Sequence, residues 1–269
     1  MKTAKCILKW FFIGLVILFI YLPIVFLSFN SFNASDNIQI WKGFSLDHYK
    51  FFFNFDNAPL QIVINTLILS AVVATLSTVF GTIGAIGIFY CKKRTSSILT
   101  GINQIPVINA DVVTAISLAL LIAILGIDRN TYIPLVLGQM VLCTPFVILS
   151  VIPKLEQMDP NLYEAALDLG ASPRKALFSV VIPQILPGII SGFLLAVTLS
   201  LDDFVIADYT KPDTFQTIST HIYYLRANTI GTKTKASYWA FTAIIFLIIV
   251  IVLVTTNIIS YKKSRSKKQ

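Results

Sequence analysis

Two groups of residues could do chemistry in this chain, and neither suits the apolar sequence around it. The first is a set of acids: Asp111, Asp202, Asp203 and Asp208. An acid at the centre of a bilayer costs about 2.5–3.5 kcal/mol, so such groups need a partner, water or a task. Lining a cavity, they would favour a cation by charge complementarity. They could instead pair with a basic residue of another protein or sit in headgroup water. Asp111 could also cap a short helix after a break at Pro106. The second group is the stretch EAALDLGASPRKALFSVVIP, residues 164–183, which places Glu164, Asp168, Arg174 and Lys175 between long apolar runs.

That stretch spells two short helices. Asp159-Pro160 is an acid at the cap followed by proline at the first helical position. Leu162, Ala165, Ala166 and Leu169 recur at helical spacing, which predicts one apolar face. Gly170 ends the helix where a left-handed residue is needed. Ser172-Pro173 then repeats the start signal. Ala176, Leu177 and Val180 continue an apolar face, and Pro183 is expected where the second helix meets the membrane. The small Ala165 and Ala166 leave room for a neighbouring surface. Such a pair could merely lie on a membrane, or it could dock a partner.

The elements that must carry these groups are membrane spans. Of 269 residues, 56% are hydrophobic and 13% charged; soluble domains average about 45–50% and about 25%. The excess falls in blocks of roughly 20 residues, long enough to cross a bilayer as helices. The fold class is therefore all-α, a polytopic transmembrane bundle. Six spans are expected, at about Trp10–Phe29, Gln61–Tyr90, Ile105–Leu125, Tyr132–Ile152, Leu186–Tyr209 and Ser237–Ser260. The first is too long for a signal peptide and lacks a cleavage site, so it reads as an anchor. Ser70, Ala74, Ser77, Gly81 and Gly84 give the second span a small-residue face. Gly188, Gly192, Ala196 and Ser200 do the same for the fifth.

Loop charge orients the bundle. Lys2, Lys5, Lys9, Lys92, Lys93, Arg94, Lys154, Arg174, Lys175, Lys262, Lys263, Arg265, Lys267 and Lys268 fall on one side and make up fourteen of the 21 basic residues. The positive-inside rule then puts both termini and the 164–183 stretch in the cytoplasm. The domain layout is an anchor with an outer loop over 1–60, a membrane domain over 61–260 with a cytoplasmic loop at about 153–183, and a basic tail over 261–269.

Glu164-Ala165-Ala166, three residues, Gly170, nine residues, Val180-x-Ile182-Pro183 resembles the E-A-A loop of ABC importer permeases of the binding-protein-dependent type. Val180 and Ile182 replace the usual Ile and Leu. In that family the loop is the coupling helix that enters a cleft of the ATPase. The resemblance therefore assigns ATPase coupling to Glu164, Ala165, Ala166, Asp168, Gly170 and Pro183. Pro23, NSFN at 30–33, SLAL at 117–120 and SLDDF at 200–204 make the whole chain similar to the second permease of spermidine/putrescine importers. That likeness is thinner over 209–236. It implies a bacterial inner-membrane location, a separate ATP-binding subunit carrying ATP and Mg²⁺, a second permease subunit and an extracytoplasmic polyamine-binding protein; charge complementarity with a dication is then the reason to expect Asp111, Asp202, Asp203 and Asp208 along the substrate path. Another small solute, such as iron, thiamine or an amino acid, would fit the same architecture.

Other classes fit less well. Asp202, Asp203 and Asp208 form D-D-x4-D, faintly similar to the Mg²⁺-diphosphate sites of membrane prenyl transferases, but no second acid-rich motif accompanies it. No P-loop motif is present, so ATP must be handled by a partner and the chain reads as a transport subunit without a cofactor of its own. A secondary transporter would have no use for the loop. The net charge of +8 lacks base-reading companions, which argues against nucleic acid. His48, His221, Cys6, Cys91 and Cys143 show no metal-ligand spacing. Tyr223, Tyr224 and Trp239 fit an interfacial aromatic belt with lipid.

Overall fold

The computed structural model describes residues 2–54, 58–159 and 161–227, and from the remainder 234, 236–248, 250, 251 and 255. Regular structure among them is helical: α1 (Lys2–Asn30), α2 (Asp47–Phe53), α3 (Ala58–Tyr90), α4 (Lys93–Ile108), α5 (Asp111–Ile124), α6 (Ile133–Gln157), α7 (Asn161–Asp168), α8 (Pro173–Ala176), α9 (Ile182–Asp202), α10 (Val205–Thr210) and α11 (Ile218–Ala227). An apolar helix follows over Ala236–Ile248. A single bridge joins Asn33 to Phe44.

Four described helices are long and apolar enough to cross a membrane: Lys9–Asn30, Pro59–Tyr90, Ile133–Gln157 and Pro173–Asp202. The expected third span is two helices, α4 and α5, bent by 103°; counted as one, they make a fifth. The break is not at Pro106, which lies inside α4, but at Asn109 and Ala110, both extended. Asp111 opens α5, where its charge complements the positive helix end. The fifth span also departs from expectation. It starts at Pro173 and stops at Asp202, with α10 a separate helix beyond it. The expected sixth span runs past Ile248 into positions mostly outside the described residues, as does the 261–269 tail.

The chain divides into two compact units, 1–61 with 224–269, and 62–223. The expected boundary after residue 60 is thus close, but the residues from 224 onward group with the first segment.

In the first unit the turn after α1 is organised by Asn33. This side chain is fully buried. Its Nδ2 donates to the Ile40 carbonyl at 2.8 Å, and its Oδ1 accepts from Ser35 N at 3.1 Å and Lys42 N at 3.0 Å. Phe29 stacks on Trp41, Phe32 on Phe44, and Phe52 on Phe241. His48 is buried edge-on to Trp239, which places that tryptophan within a folded unit. Asn33→Ala removes three hydrogen bonds, about 1 kcal/mol each, and leaves the Ile40 carbonyl without its donor. Trypsin should then cut purified protein after Lys42 at least about tenfold faster through local opening. An unchanged cleavage rate would show that the stacked aromatics hold the loop alone.

In the second unit α6 is the central packing element, and its most extensive contact is with α9. Glycines set the approach. A Cβ on Gly81 of α3 would lie 2.8 Å from Val147 Cβ, and one on Gly192 of α9 only 3.2 Å from Val147 Cα. Gly188 is equally tight against Lys154 Cγ and the Ser150 carbonyl. Both small-residue ridges thus face α6, and Val147 is clasped between them.

Candidate functional site

Asp159 starts the two-helix loop: its Oδ1 accepts from Asn161 N at 3.0 Å. Pro160 lies outside the described residues. Over the eight residues of α7, Leu162 and Tyr163 pack on the core, with the Tyr163 ring 5.5 Å from that of Tyr90. The expected apolar face is therefore rotated. Tyr163 and Leu167 turn inward with Leu162 and Ala166, whereas Glu164, Ala165, Asp168 and Leu169 are exposed. Leu169 is 90% exposed. Leu169 thus follows the α7 acids Glu164 and Asp168, which share one side of the helix, and adds an exposed apolar side chain beside them.

Gly170 closes α7 with φ +84°. Gly170 N donates to the Leu167 carbonyl and Ala171 N to that of Ala166, the paired bonds of a Schellman turn. Ser172 Oγ then accepts from Lys175 N and opens α8. A cleft of about 290 Å³ lies between the end of α3 and this turn, lined by Ile86, Tyr90, Tyr163, Pro173, Arg174 and Leu177.

No helix end falls at Pro183. The helix runs on from α8 into α9 through a π turn over Leu177–Val181, closed by Ile182 N donating to the Leu177 carbonyl. Pro183 explains the turn: it has no N–H to give, and its ring would crowd the Ser179 carbonyl of a regular helix. The wider turn admits one extra residue. Buried positions then step from Ala176 to Val181, by five, and on to Ile185, Gly188, Gly192, Ala196 and Ser200 by three or four. The extra residue lets the loop and the span bury one continuous face.

The acids separate. Asp111 and Asp202 are exposed. Asp208 lies 3.8 Å from Lys211. Asp203 is buried. Its Oδ1 accepts from Ile206 N at 3.1 Å, and its Oδ2 from Ala207 N at 2.9 Å and Gln139 Nε2 at 3.1 Å. α10 packs against α5, the helix that Asp111 opens. The structure thus gathers acids from α5 and from the α9–α10 corner, but it occupies the Asp203 carboxylate with donors of its own chain. Gln139 has no place among the candidates read from sequence. Its signal is there nonetheless: a lone amide in the apolar run IPLVLGQMVLC.

A long-helix bundle with an exposed two-helix loop and acids beside a broken helix is the architecture of a membrane permease. The chain belongs to the family described as "binding-protein-dependent transport system inner membrane component", which it matches over residues 4–265. It is therefore a permease subunit of the ABC importer class, a transport component of the inner membrane rather than an enzyme. Among its relatives is the spermidine/putrescine transport system permease protein PotC of Haemophilus influenzae, 32% identical over 222 residues, 82% of this chain and 86% of that protein. The putrescine permease PotI of Escherichia coli K12 is 36% identical over 200 residues, covering 72% of this chain and 70% of that one. The PotC homologue of Mycoplasma genitalium is 27% identical across 99% of this chain and 96% of its own. A crystal structure of a bacterial ABC transporter that imports the polysaccharide alginate shares the fold, with TM-score 0.66 and 17% identity over 95% of this chain and 98% of that one.

Proposed function

We propose that the chain carries polyamines, spermidine or putrescine, through an ATP-driven importer, and that the α7–α8 loop couples it to a separate ATPase. The outward face of Glu164, Asp168 and Leu169 carries this reading. It is exposed, and its helix, α7, packs on the core through Leu162 and Tyr163 and turns at Gly170 into α8, which runs through the π turn into α9, so a push on it reaches the span. Ala165 keeps the outward face low, Ala166 lets the inner face sit close to the core, Gly170 turns the chain, and Pro183 sets the π turn. ATP and Mg²⁺ belong to the ATPase. A second permease subunit and an extracytoplasmic polyamine-binding protein complete the assembly. Six spans with both termini and the loop in the cytoplasm agree with the clustered Lys and Arg. The named relatives favour polyamine as cargo, and the exposed Asp111 and Asp202, with Asp208 beside Lys211, suit a di- or trication.

Co-purification tests the loop. The tagged chain should bring down an ATPase, and the assembly should take up radiolabelled putrescine or spermidine in preference to amino acids. A Cβ at Gly170 meets nothing within 4 Å, so only its positive φ resists substitution. Left-handed backbone costs about 1–2 kcal/mol for an ordinary residue, more for a β-branched one and less for Asn. Gly170→Val should therefore cut ATP-driven uptake by about tenfold or more, and Gly170→Asn should keep most of it. Equal uptake by the two variants would remove the turn from the coupling mechanism.

A further inference from the structure

Gln139 is completely buried, seven residues into an apolar helix of 25. A buried amide is destabilising unless it is paired. Both of its polar atoms are engaged: Nε2 with Asp203 Oδ2, and Oε1 with the Ser200 hydroxyl, which donates at 2.7 Å. Asp203 meanwhile caps the first turn of α10 through Ile206 N and Ala207 N, and its backbone carbonyl accepts from Ser219 Oγ at 2.7 Å. Gly138 makes room for this docking, since a Cβ there would lie 2.9 Å from Ile206 Cγ2. One amide and one carboxylate thus tie α6, α9 and α10 together at the point where the α9 helix stops, and the Asp203 backbone carbonyl adds α11. Asp202, next in sequence, is left exposed.

We propose that Gln139 and Asp203 are positioning residues that lock the α9–α10 corner onto α6, and that Asp202 alone of the adjacent pair meets the cationic substrate. The role given to Asp202 rests on the polyamine reading; the lock does not. Asn is the milder replacement for Asp203: its oxygen keeps Ala207 N–H and Gln139 Nε2, while its amide nitrogen faces Ile206 N–H without an acceptor, which lowers stability but leaves two of the three bonds in place. Gln139→Glu is the damaging change, because it sets two carboxylates face to face where a donor met an acceptor. Adding Asp203→Asn to it replaces that clash with an amide N–H donating to the new carboxylate on α6, while Ser200 still donates to the other oxygen of that group.

The test uses the assembled importer in proteoliposomes with radiolabelled putrescine, and in detergent for thermal unfolding. Gln139→Glu should lower the unfolding temperature and cut maximal uptake by about tenfold or more, the loss expected of a buried polar group stripped of its partner. The double variant Gln139→Glu, Asp203→Asn should recover both to within about twofold of wild type. Asp203→Asn alone should leave the half-saturating putrescine concentration within about twofold, whereas Asp202→Asn should raise it about tenfold. A double variant no better than Gln139→Glu would overturn the lock. A half-saturation shift in Asp203→Asn equal to that of Asp202→Asn would make Asp203 a substrate contact and overturn the division of roles. If the wild-type assembly takes up no polyamine, the cargo reading and the Asp202 role fall, and the unfolding temperatures still decide the lock.

Discussion

Leu169→Asp should separate this permease from its ATPase and leave the permease itself intact. At 90% exposed, the Leu169 side chain adds almost nothing to the fold, and substitutions at such positions usually shift stability by no more than about 0.5 kcal/mol. Buried in a partner's cleft, the same side chain gains about 1.5–3 kcal/mol. Aspartate forfeits that gain and adds a third charge beside Glu164 and Asp168 that would have to be desolvated. Forfeiting about 2 kcal/mol of that burial weakens association about thirtyfold. Binding of the purified ATPase to the detergent-solubilised permease measures it, with the unfolding temperature of the permease alone as the companion reading. Tyr163→Ala supplies the contrast. It lies on the inner face against Tyr90, so it should lower the unfolding temperature first. Wild-type affinity in Leu169→Asp would mean that the docking face lies elsewhere.

Gly192→Leu should have the opposite outcome and abolish the folded permease. The position faces the Val147 backbone, with a Cβ only 3.2 Å from Val147 Cα and 3.1 Å from Cγ1. A backbone cannot step aside as a side-chain tip can, so α9 would have to leave α6. Val147 has no retreat on its far side, where Gly81 of α3 is closer still. Overpacking of a well-filled core costs about 1–3 kcal/mol for extra methylenes. Four added carbons at a glycine contact belong at or above the top of that range, against a total stability of about 5–15 kcal/mol. Size-exclusion profiles of a fluorescently tagged protein in detergent should show aggregate in place of a single peak. Gly87→Leu is the control: a Cβ at Gly87 meets nothing within 4 Å, and the profile should stay sharp. A sharp profile for Gly192→Leu would sink the proposed α6–α9 contact.

Some of this is readable in the sequence, for a physical reason. Hydropathy marks what lipid will accept, so the apolar blocks locate the long helices. Glycine and small residues at steps of three or four can only be a contact ridge, so the facing surfaces of α3 and α9 are visible before their partner is known. The α4–α5 bend is not. It depends on two extended residues, Asn109 and Ala110; the polar Asn109 and Asp111 mark a break in the apolar run there, but nothing in the letters gives its angle. The face of α7 differs from its periodicity because Tyr163, polar at one end only, buries its ring and takes the inner place that the spacing gives to Leu169. Asp202 and Asp203 are identical as letters. Which one is consumed by the fold depends on α10 presenting two N–H groups and α6 presenting one amide from more than sixty residues away.

The π turn over Leu177–Val181 has a consequence for how this stretch can change over time. One residue in an α-helix is worth a rotation of about 100°. Deleting Ser179 would let the π turn relax to an ordinary α turn with Ala176 and Val181 still on one face, whereas inserting a residue beside it would turn the loop by about 100° around the α9 axis with every motif letter in place. Between Gly170 and Pro183 the chain has already taken up its one spare residue, and it is intolerant of a second.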